Sequence, residues 1–162
     1  MADPNLGIRE LNERDLEAVL RIEVASFSLP LSKLALVFLS ETCLFYVATI
    51  KDEVAGYIVL GYGDANILHC FRIAVDPMHK RRGIASRLLK KGIEENPCQC
   101  YTTEIRKSNF EGMRFWKSQG FREIPEDRRE SLILVKEGQN TARESRGIHN
   151  DFVDPGYTPR VR

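Results

Sequence analysis

The stretch Ile73-Ala74-Val75-Asp76-Pro77-Met78-His79-Lys80-Arg81-Arg82-Gly83-Ile84-Ala85 constrains the chain most, because it passes from an apolar strand, through a proline turn, into a glycine-opened helix loaded with positive charge. A helix N-terminus carries about half a positive elementary charge and several N–H groups without intrahelical partners. Lys80, Arg81 and Arg82 at such an end each cost about 0.3–1 kcal/mol unless an anion sits among them. A solvated basic turn is the plain alternative. Glycine favours the anion: Gly83 lets a backbone come within hydrogen-bonding reach of a phosphate oxygen, and small Ala85 keeps the same approach clear. Ile84, Leu88, Leu89 and Ile93 give the helix its core face.

Other phosphate loops fit poorly. A nucleoside-triphosphate loop needs Gly-Lys followed by Ser or Thr, and here Gly83 follows Arg82 and precedes Ile84. Gly61-Tyr62-Gly63 lacks the third glycine of a dinucleotide fingerprint, since position 66 is Asn66.

The 162 residues suit one domain with its own core, and a composition 43% hydrophobic and 29% charged is ordinary for a globular protein. A net charge of +1 gives no general attraction to nucleic acid, so basic charge matters only where it concentrates, between Lys80 and Lys91. Cys43, Cys70, Cys98 and Cys100 show neither secretory nor zinc-ligand spacing, so reduced thiols and no metal are expected. Neither a signal peptide nor a run long enough to span a membrane is visible, and the cytoplasm follows as the expected compartment.

Periodicity predicts a strand from Leu6 to Leu11 and a helix begun by Asn12 and Asp15. A second helix is capped by Ser32, and strands Leu44 to Ile50 and Val54 to Leu60 form a hairpin. The fourth strand runs from Ile67 to Val75, the third helix from Gly83 to Glu95 and the fifth strand from Tyr101 to Arg106. Strand, helix, strand implies a parallel pair with a right-handed crossover, its helix N-terminus just outside the carboxyl end of the fourth strand. Asn109 then caps a fourth helix ended by Gly120, and a last strand follows at Ser131 to Val135. Residues 1–136 read as the domain. Residues 137–162, polar and without a period, read as a mobile C-terminal tail, with docking of Phe152, Val153 and Tyr157 on the domain or a neighbour as the alternative.

Lys80-Arg81-Arg82-Gly83-Ile84-Ala85, with Thr103-Glu104-Ile105-Arg106-Lys107-Ser108-Asn109 and Trp116-Lys117-Ser118-Gln119-Gly120-Phe121 downstream, resembles the GNAT family of N-acetyltransferases. Order and spacing look most like the ribosomal-protein-alanine N-terminal acetyltransferases, and Ser26 to Ser32 loosely resembles their Phe-x-x-Pro-Trp-Ser segment. The resemblance covers roughly Leu6 to Val135. It implies an α+β fold: a mixed, mostly antiparallel sheet with a splayed parallel pair of fourth and fifth strands, and helices on both faces. It implies acetyl-coenzyme A as co-substrate, held by the backbone of Ile73, Ala74 and Val75 along its pantetheine arm and by Lys80, Arg81, Arg82, Gly83, Ile84 and Ala85 at its pyrophosphate.

The same resemblance places Glu104 as the base that takes the amine's proton, and Asn109 and Trp116 against the cofactor. Trp116 departs from the family, whose tyrosine at that position protonates the leaving thiolate. An indole N–H donates a hydrogen bond and does not give up its proton near neutral pH. Local readings stand beside these: Glu104 as a strand carboxylate paired with Arg106 or Lys107, Asn109 as a helix cap, Trp116 as packing, His69 as a core histidine rather than a base, and His79 as a turn residue.

The acceptor implied is the α-amine of a protein or peptide N-terminus. At pH near 7.4 roughly a quarter of such amines are neutral, against about one lysine side chain in a thousand. Small-molecule amines are the first alternative and protein lysines the second. A non-catalytic coenzyme A-binding module is the rival from another class and nucleic-acid binding through Lys80 to Lys91 a weaker one; the main reading expects neither nucleic acid nor membrane as a partner. Oligomeric state is left open, a homodimer exchanging the last strand included.

Overall fold

The computed structural model describes residues 5–63, 66–125 and 130–138. In chain order the elements are β1 (Leu6–Glu10), a 3-10 turn (Glu13–Asp15), α1 (Leu16–Ser26), α2 (Lys33–Thr42), β2 (Leu44–Ile50) and β3 (Glu53–Tyr62). They continue with β4 (Ile67–Val75), a second 3-10 turn (Pro77–His79), α3 (Ile84–Glu95), β5 (Cys100–Arg106), α4 (Phe110–Ser118), β6 (Arg122–Ile124) and β7 (Ser131–Glu137). The strands form one sheet in the order β1-β2-β3-β4-β5-β7-β6. It is mostly antiparallel with a parallel β4/β5 pair, the expected α+β architecture.

The chain divides into two units: residues up to Gly61 together with Cys70–Asn96, and Tyr62–His69 together with the chain from Pro97 onward. In the first unit, β2 and β3 are buried along nearly their whole length, which explains why they read as continuous apolar runs rather than alternating ones. The strand period of two sorts their side chains. Phe45, Val47, Tyr57 and Val59 pack with Leu16, Val19, Ile22 and Leu36 of α1 and α2. On the opposite face, the Gly56 position of β3 lies against Ile84 and Leu88 of α3, so helices cover both sides of this part of the sheet. A bidentate pair from Arg9 to Asp15 (2.6 and 3.0 Å), with the Asn12 N–H donating to Asp15 Oδ2 (2.8 Å), ties the end of β1 to the start of α1.

In the second unit, β5 pairs with β7 from Cys100 opposite Glu137 to Arg106 opposite Ser131. Tyr101, Thr103 and Ile105 are buried and the residues between them are not, so the strand has one covered face. Gly112 of α4 lies against Ile105, which places α4 on that covered face.

Two of the differences from the sequence reading concern the last strands. The three-residue strand β6, paired with β7 from Arg122 opposite Val135 to Ile124 opposite Ile133, is too short to carry a periodic signal. The last strand runs two residues past Val135, because Cys100 at the start of β5 still offers a partner to Glu137. Beyond Gly138 the expected tail lies outside the described residues.

Candidate active site

Asp76 follows β4, and its N–H donates to the Ala55 carbonyl (2.9 Å), holding the strand end against β3. Its carboxylate caps the 3-10 turn by accepting the Met78 N–H (2.8 Å), so the one acid beside the basic loop is already engaged. Lys80, Arg81, Arg82 and Gly83 are all exposed. Arg81 has φ 65° and Gly83 φ 72°, two left-handed residues separated by one. For an arginine that conformation costs about 1–3 kcal/mol, and residues held so recur where a backbone clamps a ligand. Such loops turn successive N–H groups toward one point and form anion-binding concavities.

Gly83 is the N-cap of α3 and supplies no side-chain cap; the first helical bond runs from the Arg87 N–H to its carbonyl (3.1 Å). The N–H groups of the first turn therefore have no intrahelical acceptor. A Cβ on Gly83 would meet no atom within 4 Å, so packing within the protein does not demand glycine there and room remains for an incoming group. Farther along α3, Lys90 and Lys91 pair with Glu94 (3.6 Å) and Glu95 (2.5 Å). The donor set, the open space and the exposed basic side chains fit a pyrophosphate. Of the β4 residues named with this loop, Ala74 is buried, while Ile73 and Val75 are partly exposed at the end of the strand.

The second unit holds the other residues that the sequence singles out. Glu104 is exposed on β5, between buried Thr103 and Ile105, so its carboxylate lies on the face opposite α4. His69 Nδ1 and Thr102 Oγ1 share a hydrogen bond of 2.9 Å. Thr102 and Glu104 are two apart on the strand, so His69 stands on the same face as Glu104. Burial holds the His69 imidazole below the ordinary histidine range, and the Glu104 carboxylate acts against that shift. A single histidine among apolar residues carries no sequence signal for such a neighbour.

Asn109 is the N-cap of α4: its side-chain oxygen accepts the Gly112 N–H (2.9 Å), while its own N–H donates to the Arg106 carbonyl (2.9 Å). Trp116 is buried and makes edge contacts with Phe115 and Phe121, at centroid distances of 5.1 and 4.8 Å.

Sequence reasoning missed one cluster altogether. Glu23 on α1 is fully buried, accepts the Leu31 N–H (2.8 Å) and the Tyr57 hydroxyl, and pairs with Arg72 of β4 (3.2 Å). Burial and the adjacent carboxylate drive the Tyr57 hydroxyl far above the ordinary phenol range, so it stays a donor. A signal was present. Leu16, Val19, Leu20 and Glu23 follow helical spacing, which puts a carboxylate on the buried face of α1.

Residues 8–121 match the profile of the acetyltransferase (GNAT) family. The chain is 34% identical over 148 residues to an uncharacterized N-acetyltransferase of Methanocaldococcus jannaschii, covering 82% of this chain and 92% of that protein. Among solved structures it superposes on Ard1 of Thermoplasma volcanium with a TM-score of 0.74 at 23% identity, covering 83% of this chain and 98% of the other. The ribosomal-protein-S18-alanine N-acetyltransferase of Escherichia coli gives 0.71 at 24% identity, covering 83% and 97%. The PaiA N-acetyltransferase of Thermoplasma acidophilum, solved with coenzyme A, gives 0.69 at 22% identity, covering 82% and 98%.

Proposed function

This chain belongs to the acetyltransferase (GNAT) family and is an acetyl-coenzyme A-dependent N-acetyltransferase, and from that premise we propose that its acceptor is the N-terminal α-amine of a peptide or protein. The observation that carries this reading is Glu104, a carboxylate exposed on β5 within Thr103-Glu104-Ile105-Arg106, the slot of the proton acceptor in the N-terminal acetyltransferases this sequence resembles. A carboxylate is a weak base and suits an acceptor that is already about a quarter neutral near pH 7.4, where a lysine side chain would need far more help. One of the fold's neighbours, the ribosomal-protein-S18-alanine N-acetyltransferase, carries a protein acceptor in its name, in keeping with this reading.

Acetyl-coenzyme A supplies the activated acetyl thioester. The amides from Arg81 to Ala85 would hold its pyrophosphate, and the side chains of Lys80, Arg81 and Arg82 would face its charge. Backbone groups of Ile73, Ala74 and Val75 serve the pantetheine arm, with Asn109 and Trp116 at the cofactor as in the family's pattern. Glu104 takes the proton as the amine attacks directly. Trp116 can orient or pack the sulfur end and cannot act as its acid, so water or another residue protonates the departing thiolate. The four cysteines are free thiols, which supports a reducing, cytoplasmic setting. Among the described residues no helix is long and apolar enough to cross a membrane.

Thiol release measured with N-terminal peptides, small amines and lysine peptides, with Glu104→Gln beside the wild type, tests the proposal. Turnover of peptide α-amines that is lost in Glu104→Gln supports it. Turnover confined to small amines or lysine side chains overturns the acceptor assignment. Tight acetyl-coenzyme A binding with no turnover on any amine points to a binding module.

A further inference from the structure

The face of β5 that carries Glu104 continues onto the last two strands, within the second unit. Glu104 stands directly opposite Ile133 of β7, and Ile133 directly opposite Ile124 of β6. Residues paired in this way point to the same side of a sheet, with Cβ atoms about 4.5–5.5 Å apart. Glu104, Ile133 and Ile124 therefore form one row across three strands. The ion pair of Arg122 with Glu137 (3.3 Å) lies on the same face, since Arg122 is opposite Val135 and Glu137 is two residues along from it. Within the row Glu104 is exposed, Ile133 and Ile124 are half-buried, and Val135 beside them is buried. Along β5 the neighbours of Glu104 on this face are polar: Thr102, bonded to His69 (2.9 Å), and exposed Arg106. Single apolar residues at a surface are ordinary. Two in register beside an exposed carboxylate make an apolar step next to the group assigned to the proton.

We propose that Ile133 and Ile124 are specificity-determining residues for the acceptor: the side chain of its first residue rests on them while Glu104 takes the proton of its amine, so peptides beginning with an uncharged apolar residue are preferred. This rests on the peptide acceptor and on Glu104 as its base, both proposed above. The α-amine and the first side chain leave the same carbon, so a side chain of leucine size spans the one-strand step, about 4.8 Å, from Glu104 to Ile133. Charge is selected against from the same place. A cationic first side chain competes with the amine for Glu104, an anionic one is repelled by it, and either loses hydration against the two isoleucines.

The test assays the full chain with peptides that differ only in a first residue of leucine, lysine or aspartate, and compares ratios of kcat/KM so that any common change at Glu104 cancels. The wild type should favour leucine over both by about tenfold or more, the discrimination that an apolar contact of this size gives. Ile124→Glu adds charge at the end of the row away from Glu104, and should shift the lysine-to-leucine ratio toward lysine by about tenfold or more. Ile124→Lys should do the same for aspartate, and both gains should shrink at high salt. Ile133→Ala adds no charge beside the base and should lower kcat/KM for the leucine peptide through KM. Acetyl-coenzyme A Kd should stay within about twofold throughout. A row that merely packs β6 on β7 would lower Tm and leave the ratios at their wild-type values, and that result overturns the inference alone; so does a wild type that prefers a charged first residue. Should Ile133→Ala fail to fold, the two Ile124 variants on the edge strand decide. If the wild type binds acetyl-coenzyme A and acetylates no peptide, the acceptor assignment fails and takes this inference with it.

Discussion

Gly56 on β3 faces the Ala74 carbonyl on β4 so closely that a Cβ at position 56 would lie 2.9 Å from that oxygen, with Ile84 Cγ2 at 3.2 Å and Leu88 Cδ1 at 3.4 Å. The absence of a side chain lets β3, the end of β4 and the first turns of α3 meet at one point, and the anion loop spans the last two. Gly56→Ala must push one of them away, and the nearest obstacle is backbone. Overpacking of this kind costs about 1–3 kcal/mol. Thermal melting of Gly56→Ala should show that loss, and calorimetry should show weaker acetyl-coenzyme A binding along with it.

Gly83 presents the opposite case. Its surroundings are open, so Gly83→Ala meets no clash; its penalty is the left-handed backbone at φ 72°, about 1–2 kcal/mol for a residue with a Cβ. The added methyl also occupies the space assigned to the pyrophosphate. Acetyl-coenzyme A affinity should therefore fall by more than the melting temperature alone would account for, whereas at Gly56 the two losses should track each other.

Glu104→Gln should lower kcat by about 10²–10⁴, the usual contribution of a positioned general base. Because Glu104 is exposed, Tm should hardly move, and acetyl-coenzyme A Kd should stay at its wild-type value. Steady-state kinetics with a peptide acceptor, read beside calorimetric Kd, separates this from a binding defect.

His69 gives the stability of the protein a sign with pH. Its folded-state affinity for protons is lowered by burial, so the unfolded chain binds the proton more readily. The corresponding stability is present above the unfolded value near 6.5 and is lost as pH falls below it. Urea unfolding at pH 7.5, 6.5 and 5.5 should show declining stability, and His69→Gln should flatten that decline while keeping a partner for Thr102.

The strand-turn-helix around Gly83 was legible in the sequence because its information is local: an apolar run, a Pro77 turn, three cations and a glycine follow one another within thirteen residues. β2 and β3 were legible as apolar runs bounded by a turn, and α3 because its helical period agrees with the side that packing covers. Asn109 was read as a cap from its place before an amphipathic run, and its side chain does accept the Gly112 N–H. The Glu23, Tyr57 and Arg72 cluster could not be read in this way. Its members lie 15 to 49 residues apart, and only the folded sheet brings them together. His69 and Thr102, 33 residues apart on neighbouring strands, were hidden likewise. β6 escaped because three residues carry no period, and it exists only through its pairing with β7.

The most direct measurement compares how two thioesters stabilise the intact chain: acetyl-coenzyme A, and S-acetylpantetheine, which keeps the arm and acetyl group but lacks the pyrophosphate. At a hundredfold excess over its Kd, acetyl-coenzyme A should add about 2.7 kcal/mol. S-acetylpantetheine at the same concentration should add far less, and the advantage of acetyl-coenzyme A should shrink in Gly83→Ala. Equal stabilisation by the two thioesters, or none by either, would contradict the loop's assignment as the pyrophosphate cradle.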